Sequence, residues 1–287
     1  RCSKEIAPSI CFALNNIKAQ VITLSELRGY DNVMELVMEQ DRMQLETLDA
    51  LWAAVRDALP ALQAYLRRKA ELLGYKNGLP WYELHAPFGA YRRTFTLEQT
   101  RQFLERHLGA FAEDLGALVS RAFDERWIDF YPRVGKSGGA FCRNLSNQRQ
   151  SRVLTNFTGD FNSVVTIAHE LGHAYHGQQI ELHRPLNRIY TMPVAETASN
   201  FNETIIKNAA IREASEEERL SLIEQQLQGY VQTICDIYSR YLFEKSVFEA
   251  RRSSFIFPDR LCEMMHAAQL EAFGDALDPE WMHPYMW

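Results

Sequence analysis

Cysteine is scarce in this chain. Five are spread through 287 residues (Cys2, Cys11, Cys142, Cys235 and Cys262), odd in number and with no CxxC pair. That usage fits reduced, buried thiols in a cytoplasmic protein rather than a disulfide framework. Basic charge is not in excess: 31 Lys and Arg face 37 Asp and Glu, a formal net charge of -6. Nucleic acid and an anionic membrane surface are therefore poor main partners. No apolar run approaches the ~20 residues that span a bilayer. No secretory-signal pattern, internal repeat or low-complexity segment stands out. What is present is a 46% hydrophobic composition, enough for a large core in one big domain or two smaller ones. The first residue is Arg1 rather than methionine, and the sequence reads as a piece of a longer protein.

Most of the sequence carries helical pattern. Residues 43–74 are dense in Leu, Ala, Glu and Arg, with Pro60 as an expected kink or break. Thr96-Leu97-Glu98-Gln99 is a capping box, and helical pattern follows it to about Trp127. A second capping box at Ser215–Glu218 opens a long helix through about residue 250, and another helix is predicted over 258–273. The acidic run 216–218 complements a helix amino-terminus.

The interval 128–162 differs. Lys136-Ser137-Gly138-Gly139 reads as a turn, with short strands at 140–142 and 152–157 and a polar connection over 143–151. Either Asp160 or Asn162 caps the helix that follows. The strands form either an edge that can pair with an extended peptide, through Gly138, Gly139 and Ala140, or a hairpin that only packs on helices. The expected fold is mainly α with a small β hairpin or sheet. It is read as one helical region: a wall over 1–127, the β element over 128–162, and metal-site and C-terminal helices over 163–287.

The helix after Asp160 carries His169-Glu170-Leu171-Gly172-His173. Histidines four apart share a helix face and can reach one metal ion, while Glu170 stands beside it as a base for a water molecule. A catalytic zinc needs a third protein ligand and an open position. Glu196 is the best candidate, early in a helix predicted from Pro193 to Arg212. Ser199, Asn200 and Glu203 follow it at offsets of three, four and seven, a polar stripe on an otherwise apolar helix. Glu203 can orient a ligand imidazole. It is equally readable as an exposed glutamate. His176 is a substrate contact or a pocket-wall histidine. Glu170-x-x-His173 and Glu263-x-x-His266 also admit a rival, a di-iron carboxylate bundle, but that scheme leaves His169 and the strands without a role.

These segments resemble a known family. Ser151–Gly159 running into Ala168–His176, together with Ala195–Glu203, looks like the oligoendopeptidase F branch of the thimet oligopeptidase family; Leu79–Pro87 and Lys136–Phe141 are similar to family segments as well. The resemblance implies a zincin-like helical metallopeptidase catalytic region around a deep cleft. It implies one Zn2+ per chain held by His169, His173 and Glu196, with Glu170 as general base, and short unfolded peptides as substrates. Family members extend further at both ends, and their downstream segment stabilises the oxyanion. Zinc binding with weak turnover is therefore expected of this chain alone, and a relative that binds peptide without cutting it is the alternative.

Overall fold

A computed structural model describes residues 2–89 and 93–287, apart from the side chain of Cys2. The helices are α1 (Cys2–Leu27), α2 (Val33–Gln40), α3 (Leu45–Leu73), α4 (Leu97–Phe111) and α5 (Glu113–Asp124). Three short strands follow: β1 (Ile128–Asp129), β2 (Phe141–Leu145) and β3 (Gln150–Leu154). Then come α6 (Phe161–Ile180), α7 (Met192–Ala195), α8 (Thr197–Glu213), α9 (Glu216–Tyr230), α10 (Ile237–Arg251) and α11 (Pro258–Phe273). The mainly helical class with a small β element holds. None of the described helices is long and apolar enough to cross a membrane. The thiols of Cys11, Cys142, Cys235 and Cys262 are free, Cys11 and Cys235 being buried and the other two half-buried.

The chain divides into two compact units, one of residues 1–87 with 224–287 and one of residues 88–223. Boundaries read at 127 and 162 both fall inside the second unit. In the first unit, α3 runs unbroken through Pro60. The long helix expected over 215–250 is divided: a π-helical segment, Val231–Asp236, separates α9 from α10. One polar knot sits in the core of this unit. The ammonium of Lys69 is buried and donates to Leu84 O (3.2 Å), Ala86 O (2.8 Å) and Glu224 Oε1 (2.8 Å). Tyr65 and Gln228 also donate to that carboxylate. Every donor has an acceptor, so the burial of a charge pair is tolerated.

In the second unit the Thr96–Gln99 capping box forms as read. The helical run does not reach Trp127 intact, because Ala112 adopts an extended backbone (φ -151°) and separates α4 from α5. The sheet has order β1-β3-β2, with β1 parallel and β2 antiparallel to β3. β2 is longer than expected and runs on to Leu145, while β3 is shifted, starting at Gln150 and ending at Leu154; together they use most of the polar stretch 143–151, leaving only 146–149 as the turn. Polar residues suit these positions because β2 is an edge and shows one face to water. The side chains of Cys142 and Asn144 are partly covered while those of Phe141 and Arg143 are exposed, the alternation of a half-buried strand.

Two glycines set how closely α6 is approached. A Cβ on Gly172 would lie 2.6 Å from both Ala198 O and Ser199 Cα, so α6 and α8 touch backbone to backbone there. A Cβ on Gly177 would lie 2.3 Å from the Asn144 amide, which donates to His173 O (3.2 Å) and pins β2 to α6. Around these contacts packs an apolar core including Leu104, Leu108, Val119, Val164, Ile167, Leu171 and Ile206.

Two measurements check this packing. Gly172→Ala is expected to lower unfolding free energy by about 1–3 kcal/mol, the usual cost of overpacking, in urea titration. Lys69→Met, which strands the buried Glu224 charge, is expected to cost about 3–5 kcal/mol in the same assay. The double variant Lys69→Met, Glu224→Leu should recover much of that loss.

Candidate metal centre

Asp160, not Asn162, caps α6: its Oδ1 accepts from Ser163 N at 2.7 Å. From that fixed start, His169 and His173 fall on one face further along the helix. Glu196 arrives from the other side of the Gly172 contact. The helix predicted from Pro193 is interrupted there: Glu196 takes φ -87° and ψ 1°, between α7 and α8. Its carbonyl still accepts from Asn200 N (3.0 Å), so the chain direction is kept while the side chain is re-aimed.

The three side chains converge. Glu196 Oε2 lies 3.2 Å from His169 Nε2 and 3.4 Å from His173 Nε2, and the two Nε2 atoms are 3.2 Å apart. Among the described residues these three form a group able to hold one metal ion. Glu263 and His266 join no such group, and Glu263 is ion-paired to Arg260. The di-iron scheme therefore has no support from the geometry.

Each of the three is held by a neighbour. Glu203 Oε1 accepts from His169 Nδ1–H at 2.7 Å, which leaves Nε2 as the free lone pair, and Lys207 Nζ holds the other Glu203 oxygen at 2.5 Å. Burial alone would raise the Glu203 carboxyl, but the bonds from His169 and Lys207 outweigh it and hold it below the usual range. For His169 burial works downward, and the Glu203 bond together with the charges of Glu203, Glu170 and Glu196 outweighs it, so this imidazole is raised. His173 is lowered by burial and hydrogen-bonds the Ala195 backbone. Ser199 donates to Glu196 Oε2 at 2.8 Å. Of the polar stripe, Ser199 and Glu203 thus face the site, while Asn200 is exposed.

Glu170 is 5% exposed, and its Oε2 is buried with no hydrogen-bond partner. Burial first, then the charges of Glu196 and Glu203, push its carboxyl up to about 7. An orphaned carboxylate oxygen beside two imidazoles and a second carboxylate, that of Glu196, is a donor set that fits a divalent cation with a water. Cys142 on β2 lies close enough to feel that charge; burial chiefly, and Glu170 next, push its thiol up to about 12. It is a small packing residue here.

Of the remaining residues, His176 packs against Tyr190 with ring centroids 4.4 Å apart and the rings tilted by 40°, and its Nδ1 is buried and unpaired. Gly138, Gly139 and Ala140 precede β2 rather than forming it, in a bend held by Asn156, whose amide donates to Ser137 O and Gly139 O. Sequence reasoning missed Asn202, which donates to Ala168 O across the α6–α8 contact, and Lys207 behind Glu203. A buried asparagine in an apolar helix face was the available signal for the first. The i, i+4 spacing from Glu203 was the signal for the second.

Known proteins share this arrangement of elements. The chain is 26% identical over 239 residues to the Oligoendopeptidase F homolog of Lactococcus lactis subsp. lactis (strain IL1403), covering 83% of this chain and 38% of that one. It is 23% identical over 257 residues to Oligopeptidase PepF of Bacillus subtilis (strain 168), covering 88% and 38%. A crystal structure of a putative peptidase from Chlamydophila abortus superposes with a TM-score of 0.79 at 19% identity, over 99% of this chain and 49% of that one. A putative oligoendopeptidase F from Bacillus anthracis str. Ames gives 0.71 at 16%, over 98% and 53%. The chain thus spans well under two thirds of the relatives it matches. The model of peptidase family M3 matches residues 4–286, nearly the whole chain, and the chain belongs to that family.

Proposed function

We propose that this chain carries the catalytic centre of a zinc-dependent oligoendopeptidase acting on short, unfolded peptides. The observation that carries the reading is the convergence of His169, His173 and Glu196, with Glu203 fixing the tautomer of His169. These three would hold one Zn2+, and Glu203 and Ser199 keep two of the donors in place. Zinc bound there would act as a Lewis acid and bring a water into reach of deprotonation near neutral pH.

The protein's own groups then divide the work. Glu170 takes the proton of the attacking water and passes it to the leaving amine; its burial and lack of another partner suit it to a proton that must come and go. The exposed edge of β2 offers backbone groups to an extended peptide, and Asn144 keeps that edge fixed against α6. Names of relatives as oligopeptidases support the substrate class.

The test joins metal stoichiometry to turnover. One zinc per chain is expected by elemental analysis after dialysis, and cleavage of a quenched peptide is expected to depend on it. Glu170→Gln should keep the zinc and lose cleavage by at least about 10²-fold, in line with loss of a general base. Retention of most of the rate would remove Glu170 from that role. Glu196→Ala should weaken zinc binding sharply, and Glu203→Ala by about 10–100-fold, the usual effect of removing a ligand's hydrogen-bond partner. A chain that binds zinc and peptide with no cleavage would support the alternative of a peptide-binding relative.

A further inference from the structure

An open cavity of about 300 Å3 lies beside the centre, between the bend before β2, the end of β3 and the first turns of α6. We infer that it receives one peptide side chain bearing a hydrogen-bond donor, an amide or a basic group, from the carboxyl-terminal side of the scissile bond. The inference rests on the peptidase reading above.

Position comes from the helix. Asn162 and Thr166 line the cavity, and Thr166, His169 and His173 follow Asn162 at offsets of four, seven and eleven, one continuous face of α6. At 1.5 Å per residue, the two cavity residues stand roughly 4–10 Å from His169 along the axis. An extended peptide covers that in about one to three residues at 3.3 Å each. Direction comes from the strand. Ala140 lines the cavity beside the start of α6, whereas Asn144 reaches His173 and Gly177 further on, so β2 and α6 run the same way. Antiparallel pairing is the more stable per residue. A peptide paired that way with β2 runs against α6, and the residues after its scissile bond lie over Ala140 and the cavity.

Chemistry comes from what the lining has left unpaired. The hydroxyl hydrogen of Thr166 is given to Asn162 O (2.9 Å), and that of Thr155 to Phe130 O (3.3 Å). The amide hydrogens of Asn156 go to Ser137 O and Gly139 O. Asp160 accepts from Ser163 and Thr158, and these bonds outweigh its burial and hold its carboxyl below the usual range. Most of the lining is apolar, and the polar side-chain atoms in it are mainly oxygens, a carboxylate among them, with no lysine or arginine among the described residues there. Such a lining attracts donors and repels Asp and Glu. The Asn162 amide is exposed and can turn to meet the guest.

Two readouts test this in the zinc-loaded chain. Cleavage sites in a mixed peptide library, mapped by mass spectrometry, should show one position within three residues after the scissile bond enriched in Asn, Gln, Lys or Arg over Asp and Glu. Thr166→Val with Asn162→Leu should erase that enrichment, by roughly five- to ten-fold, while Thr166→Ser keeps it. The second readout is binding of uncleaved peptides, varied one position at a time, to the Glu170→Gln chain by fluorescence anisotropy. The same donor preference is expected there, and the same loss when Thr166→Val and Asn162→Leu are added. If no peptide is cut but the binding preference holds and moves with these residues, the cavity stands and the peptidase reading falls. If the profile of cleavage or binding is unchanged by the double substitution, the cavity inference is overturned. Absence of any peptide binding overturns it as well.

Discussion

The backbone contact between α6 and α8 at Gly172 is the constraint on which the rest of the site depends. A metal centre of two histidines on one helix and a carboxylate on another needs the helices closer than side chains ordinarily allow. With no Cβ at residue 172, Ala198 O and Ser199 come directly against α6. That proximity brings Glu196 Oε2 within 3.4 Å of both imidazoles and Glu203 within hydrogen-bond range of His169. Asn202 closes the contact by donating to Ala168 O. A glycine in mid-helix costs roughly 1 kcal/mol of helix stability. Here that cost is offset by a junction that no larger residue could form.

The sheet plays the complementary part. Asn144 links three things: its amide donates to His173 O, its oxygen accepts from Ser151 on β3, and its bulk fills the space left by Gly177. The edge strand is thereby fixed to the same helix as both histidines. Any peptide that pairs with β2 is consequently positioned relative to His169, His173 and the cavity at Thr166 through a single rigid element. Polar residues such as Asn144 and Ser151 in this region are thus structural ties, and only 146–149 remain as solvent-facing connection.

Much of this was legible in the sequence, and the failures have local causes. His169, His173, Glu196 and Glu203 could be named because helical periodicity places them at i, i+4 and on a polar stripe, and the fold brings them together. The capping box at Thr96 and the cap at Asp160 follow from side-chain chemistry that acts within four residues. What escaped depends on tertiary context. Nothing in the local sequence near Ala112, Glu196 or Val231 announces a helix break or a π-helical segment. Strand length over 143–151 was underestimated because an edge strand with one wet face carries polar residues that read as a loop. The division into two units, with α9 carrying the boundary, is a matter of long-range contact that no periodicity encodes.

The central claim is that His169, His173 and Glu196 form one metal shell. X-ray absorption at the zinc edge of the zinc-loaded chain tests it most directly. The expected spectrum shows two imidazole nitrogens at about 2.0–2.1 Å and light oxygen ligands at about 2.0–2.2 Å, with imidazole multiple scattering that halves when His173 is replaced by Ala. A shell without imidazole scattering, or one with thiolate sulfur at about 2.3 Å, would contradict the account.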